Sequence, residues 1–170
     1  AAGSGPTVVV VQVGHWEAMG SRLPGDDTWR APGDPVYDAW LLDEMTAAVD
    51  ALSVDGAVVV WLTAPYINDN VDPNGDFGSA ENRDPARMRR LNELIAQLPE
   101  RRPGQVGVVD LASWLAADPR DDGWRSDGVH FDDLGGYYRE PNPRFAGALP
   151  MFFLDRHGFH DYLQRQSSYV

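Results

Sequence analysis

Thr7-Val8-Val9-Val10-Val11-Gln12-Val13 is the stretch whose reading decides the fold. Consecutive valines cannot alternate between an apolar and a polar face. They therefore read as a strand covered on both sides, as in a parallel sheet flanked by helices. Two more runs of this kind follow, Ala57-Val58-Val59-Val60-Trp61-Leu62-Thr63 and Val106-Gly107-Val108-Val109-Asp110. Between the first two, Asp34-Pro35 supplies an N-cap and a first-turn proline. Val36, Trp40, Leu41, Met45, Ala48, Val49 and Leu52 then recur at helical spacing until Gly56. Between the second and third, Asp84-Pro85 opens a helix carrying Met88, Leu91, Leu94, Ile95 and Leu98, and Leu111 to Ala117 reads as a short helix. This alternation predicts an α/β fold of three layers around a parallel sheet of at least three strands, with right-handed crossovers. Ligands of such sheets sit at the carboxyl ends of the strands. The segments Gly14 to Glu17, Pro65 to Asn70 and Asp127 to His130 are expected to gather there.

Composition narrows the chemistry. The 170 residues suffice for one domain with a proper core, and we read 1–170 as a single domain. A formal charge of −12, with Arg as the only basic residue besides His, repels phosphate backbones and anionic headgroups. Nucleic acid is not an expected partner. Without Cys there is no disulfide, thiolate nucleophile or zinc–thiolate site. No run approaches the roughly 20 apolar residues of a membrane span, so no direct membrane insertion is expected. Ala1-Ala2-Gly3-Ser4-Gly5-Pro6 has neither the basic region nor the apolar core of a signal peptide and reads as a linker or a cut end. No cofactor is implied.

Ser126-Asp127-Gly128-Val129-His130-Phe131 carries the chemistry. An Asp three residues before a His, across a glycine turn, can hold one imidazole nitrogen in a fixed tautomer. The other nitrogen is then free to deprotonate a hydroxyl. The bland reading is a surface loop in which His130 is capped by a neighbouring carboxylate. A nucleophile is harder to find. Ser126 shares the loop of its own base, and Ser4, Ser21, Ser53, Ser79, Ser113, Ser167 and Ser168 lack a strand-to-helix elbow. The loop Asn70 to Glu81 has calcium-loop spacing, with Asn70, Asp72, Asn74, Asp76 and Glu81 as a weak ligand set. Against it stand an Asn in the first position and Pro73 within it, so a polar loop is the favoured reading. His15, His157 and His160 are not spaced for one metal site. Beyond Asp132 the periodicity decays into Gly-, Pro- and Tyr-rich turns.

Three segments together resemble the SGNH hydrolases, a flavodoxin-like family of esterases and acyl-transfer enzymes. They are Val8 to Glu17, Val58 to Tyr66, and Ser126 to Phe131. The match is closest to the SGNH domain of bacterial acyltransferase-3 type proteins. It covers about residues 7–131 and leaves 132–170 as an unplaced, irregular extension. The resemblance implies His130 as catalytic base, Asp127 as its partner, and an oxyanion or substrate pocket from Gly14, His15, Trp16, Glu17 and Tyr66. It implies a small ester or acylated sugar as substrate, and a place in a larger membrane acyltransferase, outside the cytoplasm. Two departures stand out. Where the family reads Gly-x-Asn-Asp, this chain has Gly14-His15-Trp16-Glu17, and Trp16 offers only its indole N–H as a donor. The family's Gly-Asp-Ser block, which brings the nucleophile, precedes this third block, and no counterpart stands before Thr7. The expected sheet is accordingly incomplete. Trp16 and Glu17 either line a pocket or serve packing and helix capping. A non-catalytic carbohydrate-binding domain that keeps the scaffold is the competing reading.

Overall fold

A computed structural model describes residues 8–54, 56–69, 83–119, 121–125 and 128–129. The elements run β1 (Val8–Gln12), α1 (His15–Ala18), β2 (Ser21–Arg22), β3 (Trp29–Arg30), α2 (Pro35–Leu52), β4 (Val58–Leu62), α3 (Pro85–Ile95), α4 (Leu98–Arg101), β5 (Val106–Val109), α5 (Leu111–Ala116) and α6 (Asp121–Trp124). The three valine-rich runs form one parallel sheet in the order β1-β4-β5. Val8 pairs with Val58 and Gln12 with Leu62, while Val59 pairs with Val106 and Leu62 with Val109. The sheet is therefore in register across its width, and its three carboxyl ends form one edge.

Strand alternation sorts the side chains. Val9, Val11, Val59, Trp61, Val106 and Val108 face a core built with Leu41, Leu42, Met45, Met88, Leu91, Leu94, Ile95 and Leu98 of α2, α3 and α4. Val10, Val60 and Leu62 face the other way, against Leu111, Leu115, Trp114 and Trp124 of α5 and α6. This is the expected three-layer α/β arrangement. The two faces differ in cover, because the second is packed by short helices among the described residues. Val58 is still 44% exposed and Val109 47%. Burial of each large aliphatic side chain on the first face contributes about 1.5–3 kcal/mol before entropy is subtracted.

The helix starts follow their sequence signals. The Asp34 carboxylate accepts from the Val36 and Tyr37 N–H groups, and the Asp84 carboxylate from Ala86 N–H, each with Pro in the first turn. The second long helix departs from expectation at its end. Leu98 belongs to a separate turn, α4, because Pro99 cannot continue the α3 hydrogen-bond ladder and instead occupies the first turn of a new helix. Gly20 permits the small antiparallel pair of β2 and β3. Its φ is +81°, and a Cβ there would lie 2.2 Å from the Arg30 carbonyl oxygen. An ion pair joins the helices of the first face: Arg90 Nε of α3 donates to the buried Asp38 carboxylate of α2 at 2.9 Å. No helix among the described residues is long and apolar enough to cross a membrane.

Candidate active site

At the carboxyl edge, the exits of β1 and β4 lie side by side. An ideal Cβ on Gly14 would stand 3.9 Å from the Ala64 Cβ. Beyond Gly14 the chain turns at once into α1, and the Glu17 carboxylate accepts from Gly14 N–H at 2.8 Å. Glu17 thus caps its own helix, in the manner of a capping box with glycine at the N-cap. The Gly14 N–H, a candidate oxyanion donor by resemblance, is directed at that carboxylate. Tyr37 of α2 donates its hydroxyl to the Glu17 carbonyl at 2.9 Å, tying α1 to the core. Trp16 is 44% exposed. His15 lies on α1, within the segment that Gly14 opens.

The β4 exit is pinned from both sides. The Thr63 hydroxyl donates to the Asp110 carboxylate at 2.9 Å and accepts from Ala112 N–H at 3.0 Å, which joins it to the start of α5. The Asp110 carboxyl lies below its ordinary value. The Ser113 hydroxyl lowers it most, then Ser113 N–H, with the Thr63 hydroxyl also contributing. Ala64, fully buried, has left the ladder, and Pro65 after it holds it extended. The Asn92 side chain of α3 takes the place of a neighbouring strand. Its oxygen accepts from Ala64 N–H at 2.7 Å, and its amide nitrogen donates to the Ala64 carbonyl at 2.9 Å.

Farther along the same loop, Asn68 N–H donates to the Gly128 carbonyl at 2.9 Å. Arg125, itself buried, donates from Nη1 to the Tyr66 carbonyl at 2.6 Å and to the Gly128 carbonyl at 3.1 Å. Its Nε and Nη2 grip the Asp121 carboxylate. The Asn68 amide bridges Asp121 and Asp122 at 2.9 and 2.8 Å. Gly128, at φ +81°, turns the chain here, and its N–H closes the turn onto the Arg125 carbonyl at 2.7 Å. Beside this dock lies a cavity of about 530 Å³ lined by Pro65, Tyr66, Ile67, Leu115, Asp118 and Arg125 among others. Tyr66 is 37% exposed.

Of the segments expected there, Gly14 to Glu17 and the described part of Pro65 to Asn70 share one edge, and Gly128 is bonded to the second. Asp127 and His130 lie outside the described residues, as do Asn70, Asp72, Asn74, Asp76 and Glu81. Among the described residues no cluster of His, Asp or Glu is arranged to hold a metal ion. Of the described serines, Ser21 is buried in β2, Ser53 donates to the Val49 carbonyl, and Ser113 serves Asp110. Thr63, Asn68, Asn92, Asp121 and Arg125 were not singled out by sequence. A signal existed for two features. Asn92 is a polar residue four after Met88 on an otherwise apolar helix stripe, and Asp121 and Arg125 have i, i+4 spacing.

No family model matches the chain, and no curated protein matches it. Among solved structures, the crystal structure of the lipase/acylhydrolase from Enterococcus faecalis is similar, at 20% identity and a TM-score of 0.49. The alignment covers 76% of this chain and 55% of that one, so the chain spans little more than half that protein's length.

Proposed function

We propose that this chain carries the acid–base half of an SGNH-type ester site, acting in hydrolysis or O-acyl transfer on an O-acylated carbohydrate or similar small ester. The observation that carries the reading is the carboxyl edge itself. There the Gly14 turn, the Ala64–Asn68 exit and the turn through Gly128 converge, and Asp127 and His130 flank Gly128 and Val129 in sequence. In this reading His130 takes the proton of an attacking Ser hydroxyl as that oxygen bonds the acyl carbon. It returns the proton to the departing alcohol oxygen, and Asp127 holds its tautomer. Water or a sugar hydroxyl then takes the acyl group by the same exchange. The acidic surface favours a substrate without phosphate. By the same resemblance the chain serves a larger membrane acyltransferase, on its extracytoplasmic side.

Ser21, Ser53 and Ser113 are held in other roles and the remaining serines lack a strand-to-helix elbow in the sequence, so the 170-residue polypeptide alone is expected to hydrolyse p-nitrophenyl acetate at the buffer rate. The test is fluorophosphonate labelling of the protein expressed from its complete coding sequence. Labelling of one Ser, lowered about 100-fold or more by His130→Gln, is the expected result. Labelling that ignores His130, or none at all, overturns the reading. The exposed aromatic residues Trp16, Trp29 and Tyr66 favour one second reading, a carbohydrate-binding domain. Calorimetric binding of acetylated oligosaccharides that survives His130→Ala would establish it.

A further inference from the structure

We infer that Arg125 is a positioning residue, docking the turn that leads to Asp127 and His130 onto the β4 exit loop. The inference rests on the ester-site reading for its consequence, while the dock itself is visible in the described residues. Arg125 is 3% exposed and spends its guanidinium on three partners: the Asp121 carboxylate, the Tyr66 carbonyl and the Gly128 carbonyl. Those partners come from α6, from the β4 exit and from the turn itself.

The choice of residues is informative. A buried ion pair loses in desolvation much of what it gains in attraction, so an apolar pair of similar volume would stabilise this spot as well or better. What apolar groups lack is direction. The guanidinium is a rigid fork of N–H donors that fixes the planes and positions of the oxygens it meets. Asp121 completes the arrangement by orienting the fork, and it also accepts from the Asn68 side chain at 2.9 Å. Asn68 N–H meets the same Gly128 carbonyl that Arg125 holds. The carbonyl of Gly128 is thus fixed from two directions, which gives the chain a held point between Asp127 and His130 in the sequence. This is what a base needs in order to meet a hydroxyl within hydrogen-bond reach.

The experiment compares the full 170-residue chain with Arg125→Met/Asp121→Leu, which removes the fork and both charges while keeping the volume. Two readouts are taken: amide hydrogen exchange, and the imidazole nitrogen spectrum of labelled histidine, with His130 assigned through His130→Gln. In the double variant, Asn68 N–H is expected to exchange at least about 10-fold faster, with Val59 and Leu91 amides unchanged. The His130 nitrogens are expected to lose their single-tautomer pattern and match those of Asp127→Asn. Unaltered Asn68 protection together with an unaltered His130 pattern overturns the inference. Should the double variant fail to fold, Arg125→Lys decides by the same readouts, since it keeps the charge and loses the fork. If Asp127→Asn leaves the wild-type His130 pattern unchanged, the ester-site reading fails on its own, and Asn68 exchange still decides whether Arg125 docks the turn.

Discussion

The helix-covered first face of the sheet and the carboxyl edge are built from different materials. On the first face, Val59, Trp61, Leu91 and Ile95 are fully buried among other apolar groups, and position there is set by shape and volume. At the edge, position is set by a few polar partners: Asn92 holds Ala64, Arg125 holds Tyr66, and Arg125 and Asn68 N–H together hold Gly128. Apolar contact has no direction, whereas a hydrogen bond weakens steeply when its angle is lost. The face can therefore supply stability, while the edge can hold a loop at a defined orientation, which is what a reaction centre requires. Damage should differ in kind accordingly. Changes on the face should lower global stability, and changes at the edge should act locally out of proportion to their energetic cost.

The largest effect should come from the face. Leu91→Ala removes a fully buried side chain between α3 and the sheet and leaves a cavity, so a loss of about 3–4 kcal/mol is expected by urea unfolding. Val59 and Leu91 amides should lose exchange protection together, since they belong to one cooperative core. A cost below about 1 kcal/mol would mean that α3 does not pack as described, and the contrast with the edge would collapse.

Asn92→Leu sharpens the same contrast, because it keeps the volume and deletes only direction. The Ala64 N–H and carbonyl would both be left buried without partners, at about 1–2 kcal/mol each, so about 2–4 kcal/mol is expected in total. Asn92→Asp can still accept from Ala64 N–H but cannot donate to the carbonyl, and should cost about half as much. If Asn92→Leu were neutral, the β4 exit would be held by packing, and the edge would be no different from the face.

How much of this was legible follows from the same physics. The sheet and its first face could be read because periodicity is a collective signal: the valine runs, the Asp-Pro starts and the apolar stripe of α3 each repeat one message over many residues. The parallel direction of the strands, and the edge shared by the segments that begin at Gly14 and Pro65, followed from that alternation. The split at Pro99 was missed because Leu98 keeps the helical spacing across the break. Thr63, Asn92 and Arg125 could not be read in the same way. Each reaches a residue far along the chain, Asp110 for Thr63, Ala64 for Asn92 and Tyr66 for Arg125, and isolated pairs of this kind leave no period. Glu17 was divided between pocket and cap because Gly-x-x-Glu serves either role, and only coordinates show its carboxylate on Gly14 N–H.

The smallest effect expected is a pH dependence that belongs to the edge. Asp110 caps α5 and holds Thr63, and these donors keep its carboxyl below the ordinary 3.8, the Ser113 hydroxyl most of all. In the unfolded chain those donors are gone and the group titrates near its ordinary value. The native state therefore binds the proton less readily, and the stability contributed by the carboxylate is present above pH 4 and lost as pH falls through the folded value. Asp26, held at about 2 chiefly by Thr28 N–H, and Asp50, lowered chiefly by Arg102, add the same sign from outside the core. Asp110→Asn isolates the edge. Asn is nearly as good an N-cap as Asp, so at pH 7 the cost should stay below about 1 kcal/mol, the charge-assisted part of the bonds alone being lost. Urea midpoints at pH 7, 5, 4 and 3 should then show the gap between wild type and Asp110→Asn closing as the pH falls, because protonation removes from wild type what the variant never had. A gap constant down to pH 3 would mean that Ser113 and Thr63 do not hold the charged form of Asp110, and the β4 exit would lose one of its two anchors.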